Sequence, residues 1–313
     1  MARPTVEGIH HVTGAVTNPQ RDYDFYTKTL GMRLVKQTVN HETADMWHFF
    51  YGDYNANVGT IMTNIIFPEK ILPRCTRGRG TISELSYSVP AGSIAYWRAR
   101  LTESGYACED RPERFGEKVL YFEDPEGLPS EIIESADARD PGPLNGIPAE
   151  HLLRGFHSVT LVSRLHELSL GFFTQLLGFE VAAQEGNRTR LAVKGGGPGR
   201  WVDLVDVPEG PWAQFGMGAI HHVAFTVPTV ADMQRFWGIL SGAGLIVTDL
   251  RDRKWFHSAY LTEPGGINVE ISNVDPGFTV DEELEHLGET LQLPKQWAAR
   301  QDEIAAVLPE LVF

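Results

Sequence analysis

The string Ile-His-His-Val occurs twice in this chain, at residues 9–12 and again at residues 220–223. Each copy begins an apolar run, residues 9–16 and residues 220–227, and such runs predict buried β-strands. Adjacent histidines in the same apolar frame near both ends of a chain indicate an internal repeat. A repeat restricts the fold more than composition does, because each copy must form the same supersecondary unit.

The repeated unit occurs four times, in the order strand, short helix with two adjacent aromatic residues, glycine, and further strands. Glycine after a helix supplies the left-handed residue with which many helices end. The aromatic pairs are most simply explained by core packing. Four such units predict an α+β fold with curved mixed sheets. The opening strands begin at Ile9, Ile82, Gly155 and Ile220, and the aromatic pairs are Phe25-Tyr26, Tyr96-Trp97, Phe172-Phe173 and Phe236-Trp237.

A linker is predicted at residues 136–154, which are rich in proline and glycine and lack periodic apolar residues. It divides the chain into an N-terminal domain, residues 1–147, and a C-terminal domain, residues 148–313, with two units in each. Beyond the fourth unit, residues 280–291 and 295–308 have the pattern of helices, so we expect the second domain to end in a helical tail.

The charge and the cysteine content exclude several classes of function. The chain has 41 acidic and 27 basic residues and a net charge of −14, whereas nucleic acids and anionic membranes attract basic surfaces. No apolar run approaches the length of a membrane span, and the N-terminus does not resemble a signal peptide. Two cysteines form neither a disulfide framework nor a zinc-ribbon motif. We therefore expect a cytoplasmic protein without nucleic-acid or membrane partners, and a homo-oligomer is compatible with the sequence.

Glu270 lies inside the apolar run of residues 267–271, where an unpaired carboxylate would be costly to bury. Two histidines and one carboxylate form the facial triad of non-haem Fe(II) oxygenases. Strand alternation places His11 and Thr13 on one side of the first strand and His10 on the other. Alternation does not by itself decide which histidine of each pair binds a metal. A lone histidine is more often a core residue, but two identical frames and the glutamate favour a metal site.

These features together resemble the vicinal oxygen chelate superfamily, which includes glyoxalase I, bleomycin-resistance proteins and extradiol dioxygenases. Within it the chain resembles the hydroquinone 1,2-dioxygenase branch of ring-cleaving dioxygenases. The resemblance implies four βαβββ modules and a metal ligand directly before the valine of each frame, which gives His11 and His222 together with Glu270. The segments that carry the resemblance are residues 8–13, 47–53, 221–225, 260–271 and 293–297.

The resemblance also implies groups that act on the substrate beside the metal. Arg253 and Tyr260 have the spacing of an arginine and a tyrosine that lie near the substrate oxygens in this branch. Arg253 would stabilise a phenolate, and Tyr260 would donate a hydrogen bond to the metal-bound oxygen or act as a general acid. His257 is a rival acid or base, whereas His48 is expected to pack in the first sheet and His41 to lie at the surface. The catalytic candidates are His10, Thr13, His221, Arg253 and Tyr260.

The number of protein ligands distinguishes a ring-cleaving dioxygenase from a glyoxalase-type isomerase. Glyoxalase-type isomerases use four protein ligands, but residues 57–65, the matching last strand of the first module, contain no histidine, aspartate or glutamate. Three ligands leave sites for O2 and substrate, whereas a closed site suits a redox-inert Lewis acid. The third module has Ser158 at the ligand position, so the first module must pair with the fourth. The second and third modules would then form a lapsed site lined by Glu84, Glu131, Ser158 and Asp203.

The sequence therefore predicts an Fe(II)-dependent ring-cleaving dioxygenase of aromatic catabolism. Its partners would be O2 and a substituted hydroquinone or related small phenol, and Mn(II) suits the same ligands. One alternative is a glyoxalase-type metal-dependent isomerase or lyase, which the absent fourth ligand disfavours. Another is a non-catalytic binder of small aromatic compounds, which the intact triad disfavours.

Overall fold

The computed structural model describes residues 4–313 of the chain. Its strands form two eight-stranded mixed sheets flanked by a few short helices, which confirms the predicted α+β fold. Module 1 contains β1 (Ile9–Val16), α1 (Pro19–Asp24), β2 (Arg33–Val39), β3 (Trp47–Gly52) and β4 (Ile61–Ile66). Module 2 contains β5 (Thr81–Val89), α2 (Ile94–Glu103), β6 (Cys108–Arg114), β7 (Glu117–Glu123) and β8 (Pro129–Glu134).

The second half of the chain repeats this order. Module 3 contains β9 (Gly155–Val162), α3 (His166–Gly171), β10 (Glu180–Glu185), β11 (Arg188–Ala192) and β12 (Trp201–Val205). Module 4 contains β13 (Ile220–Val227), α4 (Val230–Gly242), β14 (Arg251–Asp252), β15 (His257–Thr262) and β16 (Asn268–Asn273). Short 3-10 turns lie at Ala149–His151, Phe278–Val280, Leu284–His286 and Lys295–Arg300, and α5 spans Gln301–Val307.

The first module pairs with the fourth, as the missing ligand in the third module predicted. One sheet, here called the terminal sheet, has the strand order β14-β15-β16-β13-β1-β4-β3-β2. The other, the central sheet, has the order β10-β11-β12-β9-β5-β8-β7-β6. Each half of the chain thus supplies one module to each sheet. The two sheets do not correspond to residues 1–147 and 148–313, because each sheet combines modules from both halves of the chain. The predicted division into these two domains stays a prediction.

The aromatic pairs of the short helices pack in the core beneath the sheets. Both members are buried in the first and third modules, where α1 and α3 each continue into one wider π-helical turn, Phe25–Thr29 and Phe172–Leu177. In the other two modules Trp97 and Phe236 are buried, and their partners are partly exposed. Core packing therefore explains these pairs, as the sequence suggested.

The predicted helical tail is largely wrong. Residues 280–291 form only short turns, and in the second predicted helix only Gln301–Val307 is α-helical. The reason is tertiary: the buried Lys36 Nζ lies 2.6 Å from Asp281 and 2.5 Å from Glu282, and Gln292 donates its N–H to the carbonyl of Gln37 on β2. The tail is held against the edge of the terminal sheet, where these contacts replace helical hydrogen bonds.

Candidate metal centre and cavity

Strand pairing brings the three predicted metal ligands together. The central strands β1 and β13 are antiparallel, with His11 opposite Ala224 and Thr13 opposite His222. The two histidines therefore lie on neighbouring strands, two residues apart in register and on the same face of the sheet. β16 runs parallel to β13 and places Glu270 opposite Ala224 on the same face. All three side chains are buried.

The spacing of the donor atoms fits one metal ion. The His11 Nε2 atom lies 3.3 Å from His222 Nε2 and 3.2 Å from Glu270 Oε2, and His222 Nε2 lies 2.8 Å from Glu270 Oε2. Donor atoms about 2.1 Å from a common ion and at right angles to one another would be about 3 Å apart. The buried Glu270 Oε2 makes no hydrogen bond to the described residues, so it is available as a ligand. Among residues 4–313 this is the one convergent group of three or more such side chains.

The second carboxylate oxygen of Glu270 is fixed by hydroxyl groups. The Oε1 atom accepts hydrogen bonds from Ser258 and, at 2.7 Å, from Ser272. Burial alone would raise the pKa of Glu270, but the neighbouring His11 and His222 hold this pKa well below its usual range. Burial lowers the pKa of His222. The site thus holds one carboxylate and a neutral imidazole at His222, the protonation states that metal binding requires.

His10 orients His11 through a chain of hydrogen bonds that defines the tautomer of both rings. The His10 Nε2 atom lies 3.1 Å from the carbonyl oxygen of Asn273, so this nitrogen carries the proton. Burial lowers the pKa of His10 to about 3, and its Nδ1 atom is therefore an acceptor. His11 Nδ1, 2.9 Å away, must then be the donor. His11 Nε2 is left with a lone pair that points to the other two ligand atoms.

His221 and His222 repeat this contact, because their Nδ1 atoms lie 2.7 Å apart. Burial and the neighbouring His222 lower the pKa of His221 to about 3. In contrast to His10, His221 also lines the cavity beside the metal centre. His10 lies behind His11, outside the cavity lining, and its expected role towards the substrate stays a prediction.

A cavity of about 740 Å³ lies beside the candidate metal centre, and His11 and His222 form part of its wall. Its apolar wall includes Phe50, Phe256 and Leu245, which suits a flat aromatic ring. Polar side chains lie among these apolar residues and would fix the orientation of a ligand. The polar lining includes Thr13, His41, Glu42, His48, His221, Arg253 and Tyr260.

Arg253 and Tyr260 form a connected pair in this wall. Tyr260 lies opposite Glu270 in the pairing of β15 with β16, and its hydroxyl oxygen accepts a hydrogen bond of 3.0 Å from Arg253 Nε. Burial raises the pKa of Tyr260, so the phenol keeps its proton at neutral pH. Arg253 Nη1 also lies 3.3 Å from the exposed Glu42, which joins a loop of module 1 to module 4.

Sequence reasoning missed two histidines of the cavity. His41, expected at the surface, is buried, and its Nε2 atom has no hydrogen-bond partner among residues 4–313. His48, expected to pack within the sheet, lines the cavity and lies 3.0 Å from Thr63 Oγ1. Aligning β3 with β15 would have indicated His48, since it stands where Ser258 stands in module 4. The rival His257 does not line the cavity.

Comparison with known proteins identifies the family. The family profile "Glyoxalase/Bleomycin resistance protein/Dioxygenase superfamily" matches residues 8–63 and 155–271. The chain belongs to this superfamily. It is 36% identical over 306 residues to "Putative ring-cleaving dioxygenase MhqE" of Bacillus subtilis, with 97% of this chain and 99% of that protein covered. It is also 36% identical over 310 residues to "Chlorohydroquinone/hydroquinone 1,2-dioxygenase" of Sphingobium indicum, with 96% and 95% covered.

Two solved structures have the same fold as this chain. A crystal structure described as a putative dioxygenase from Bacillus subtilis has a TM-score of 0.94 at 32% identity, and covers 99% of this chain and 98% of that one. Glyoxalase I of Zea mays has a TM-score of 0.64 at 15% identity, with 85% and 92% covered, which shows a shared fold alone. In this member of the superfamily, the helices among residues 4–313 are all too short or too polar to cross a bilayer.

In the central sheet, arginines pair with the carboxylates that stand at the register position of Glu270, the candidate metal ligand in the terminal sheet. Asp203 accepts two hydrogen bonds from Arg190, of 2.8 Å and 3.0 Å, and Glu131 pairs with Arg114. Guanidinium groups that bind these carboxylates leave them unavailable as ligands. That the central sheet binds no catalytic metal stays a prediction, and this pairing supports it.

Proposed function

We propose that this protein is an Fe(II)-dependent ring-cleaving dioxygenase that acts on a substituted hydroquinone or related phenol. The observation that carries the proposal is the buried triad of His11, His222 and Glu270, whose donor atoms converge at the wall of an aromatic-sized cavity. A three-ligand centre of this type leaves positions for O2 and for a substrate oxygen. The names of the similar proteins from Bacillus subtilis and Sphingobium indicum support the same reaction class.

The metal would supply the redox chemistry that allows O2 to react with an aromatic ring, and the protein residues would prepare the ring for it. Fe(II) and Mn(II) both suit two imidazoles and a carboxylate. Tyr260 would donate its hydroxyl proton to a ring oxygen, since its own oxygen already accepts from Arg253. The guanidinium of Arg253 would stabilise negative charge on a deprotonated phenol. His221 and Thr13 would complete the polar wall beside the ligands.

We favour hydroquinones over catechols as substrates because the two differ in the number of oxygens that can bind one metal ion. A catechol chelates through two adjacent oxygens and needs little help from the protein. A hydroquinone offers one oxygen, so its distal hydroxyl must be held by side chains. The cavity provides polar groups away from the triad, such as His41, Glu42 and Arg253, within apolar walls.

Two other functions fit the superfamily less well. A glyoxalase-type isomerase would be expected to use a fourth protein ligand, and Thr63 stands at the matching position in module 1. A non-catalytic binder of aromatic compounds would have no need for a buried carboxylate oxygen of Glu270 that faces the Nε2 atoms of His11 and His222. Both alternatives predict that the protein consumes no O2, whereas a dioxygenase must consume it.

The decisive experiment is oxygen-electrode turnover of anaerobically Fe(II)-loaded protein on a panel of hydroquinones and catechols. We expect O2 uptake and ring-opened product with at least one hydroquinone, and little with catechols. Uptake with catechols alone would contradict the substrate class. Conversion of a hemithioacetal without O2 would instead support the isomerase. Location in the cytoplasm and the oligomeric state stay predictions.

A further inference from the structure

Three of the chain's 27 basic residues, Arg74, Arg77 and Arg79, stand within six consecutive positions. They belong to the segment that connects module 1 to module 2. This segment forms short β-bridges with the segment that connects module 3 to module 4. We call the bridged segments, residues 73–79 and 211–217, the connector ribbon. The ribbon concentrates positive charge in a chain whose net charge is −14.

A second cavity, of about 360 Å³, is lined by both segments of the connector ribbon. Residues of β5 in the central sheet and of β13 and β16 in the terminal sheet also line it, so it lies between the two sheets. Its wall shares His221 and Asn268 with the cavity beside the candidate metal centre. The ring centroid of Phe215, another lining residue, lies 5.0 Å from that of His221. The two cavities are therefore neighbours that share part of one wall.

Arg164 presents a positive charge to the second cavity, whose wall includes this residue. Glycine at positions 80 and 266 makes room for its side chain, since a Cβ atom at either position would meet it. The guanidinium carbon lies 5.0 Å from the ring centroid of Trp212, and Arg79 lies over the same ring. Among residues 4–313, no carboxylate pairs with the Arg164 guanidinium. Its N–H groups are therefore available to a ligand.

The ionisable side chains of the lining favour an anion. Arg77 and Arg164 supply two positive charges, and Glu84 is the single acidic residue. Burial and the neighbouring Glu131 raise the pKa of Glu84, which disfavours its ionised form. Arg77 pairs with Glu123 outside the lining, so Arg164 is the cation left for a ligand. A cavity of this kind attracts a small anion even in an acidic protein.

The reaction proposed above converts a neutral ring into such an anion. Cleavage of the bond beside the hydroxyl-bearing carbon places one atom of O2 on each of the two carbons, so that one becomes a carboxyl group and the other a carbonyl group. A phenol, with a pKa of about 10, is neutral at pH 7, whereas a carboxyl group, with a pKa of about 4, is ionised. Charge therefore distinguishes the product from the substrate.

We propose that the second cavity is a binding site for the carboxylate of the ring-opened product, with Arg164 as the residue that binds it. The inference rests on the proposed function, which supplies this product. The shared wall at His221 and Asn268 places the site next to the cavity in which the ring would open. A volume of about 360 Å³ is sufficient for a six-carbon acid.

Calorimetric titration of the metal-free full-length protein with cis,cis-muconate tests this site. Muconate is a stable six-carbon dicarboxylate and stands in for the product. We expect one muconate per chain, and at least about 10-fold weaker binding to Arg164→Gln, because a charge-assisted hydrogen bond is lost. Gln214→Glu adds a negative charge to the lining at nearly constant size and should weaken binding in the same direction. Arg300→Gln, at an exposed arginine outside both linings, is the matched control and should bind like the parent.

Unchanged muconate affinity in Arg164→Gln and in Gln214→Glu would overturn the inference. Loss of affinity in Arg253→Gln alone would also overturn it, because muconate would then occupy the cavity beside the metal centre. A parallel titration with inorganic phosphate distinguishes the ligand class. Phosphate that binds as tightly as muconate, with the same dependence on Arg164, would show an unselective anion patch and contradict a product site.

Failure of the proposed function would look different from failure of this inference. If the Fe(II)-loaded protein takes up no O2 with any hydroquinone, while muconate binding still depends on Arg164, the cavity binds carboxylates but not as a product site. If O2 uptake occurs and muconate does not bind, the inference alone is wrong.

Discussion

The Nε2 atoms of His11 and His222 lie 3.3 Å apart, although 211 residues separate the two histidines along the chain. They meet because β1 and β13 are antiparallel neighbours at the centre of the terminal sheet. The candidate metal centre therefore exists only after the first and last modules have paired. A metal held there joins the two ends of the chain.

Alanine at His11, His222 or Glu270 should lower Fe(II) affinity at least about 100-fold, because even residues that merely orient a ligand are worth 10- to 100-fold. Metal content is measured after anaerobic loading and gel filtration. His286→Ala, at an exposed histidine, is the matched control and should retain metal. Full metal retention in Glu270→Ala would remove this residue from the ligand set.

Metal removal should destabilise the folded protein, because the unfolded chain separates the ligands. At a free metal concentration about 100 times the Kd, binding adds about 2.7 kcal/mol to the free energy of unfolding. Denaturant unfolding with and without Co(II) measures this difference. The difference should vanish in His222→Ala, and its persistence there would indicate that the metal binds elsewhere.

His10→Ala should weaken metal binding about 10- to 100-fold without removing a ligand. The reason is that His10 accepts the Nδ1 proton of His11 and so keeps His11 Nε2 free. Metal titration gives the affinity, and the nitrogen chemical shifts of His11 in the metal-free protein report its tautomer. An unchanged tautomer together with unchanged affinity would contradict the positioning role.

Arg253→Lys and Tyr260→Phe should lower kcat about 100-fold while metal content stays unchanged, in the range found for groups that stabilise developing charge. Lysine loses the directed Nε contact to the Tyr260 hydroxyl, and phenylalanine loses the proton donor. Turnover and metal content are measured on the same preparations. Loss of metal in either variant would show that these residues maintain the structure of the site instead.

Glu117→Gln, at a residue outside the cavity lining, should lower the free energy of unfolding above about pH 4.5. Burial alone would raise the pKa of Glu117, but its contacts with His157 and Arg190 lower it to about 2, from 4.5 in the unfolded chain. Because burial lowers the pKa of His157, Arg190 is the partner that is charged throughout. The carboxylate therefore stabilises the fold above about pH 4.5, and this contribution is lost as the pH falls towards 2.

Urea unfolding of the parent protein and of Glu117→Gln at several pH values measures that contribution. We expect a difference of roughly 1–3 kcal/mol above pH 4.5 that shrinks towards pH 2. Glu180→Gln, at an exposed carboxylate, should show no such difference. A gap that stays constant with pH would mean that the ionised carboxylate is not what stabilises the fold.

Much of the fold and the triad could be predicted because they leave local patterns. The Ile-His-His-Val frames, the helices with aromatic pairs and the carboxylate at Glu270 are each visible in a few consecutive residues. Ser158, which stands at the ligand position of the third module, also sufficed to predict that the first module pairs with the fourth. These features depend on strand alternation and burial, and both are visible in the order of apolar and polar residues within a short segment.

Other features could not be predicted, because their surroundings come from distant parts of the chain. His41 and His48 look like ordinary loop and strand residues, and only the approach of module 4 places them in a cavity wall. His10 has the same sequence environment as His221, yet the carbonyl of Asn273 holds it behind His11. The tail lacks its predicted helix at residues 280–291 because Lys36 binds Asp281 and Glu282.

The sequence by itself determined four repeated modules and the side chains able to bind one metal, since both follow from the order of apolar and polar residues in single strands. Only the tertiary structure decided the direction of each imidazole, the composition of the cavity and the arginine contacts of the carboxylates in the central sheet. The physical reason is that hydrogen bonds and ion pairs depend on distances of a few ångströms between strands. Those distances are set by register and sheet order, which no single segment of the chain encodes.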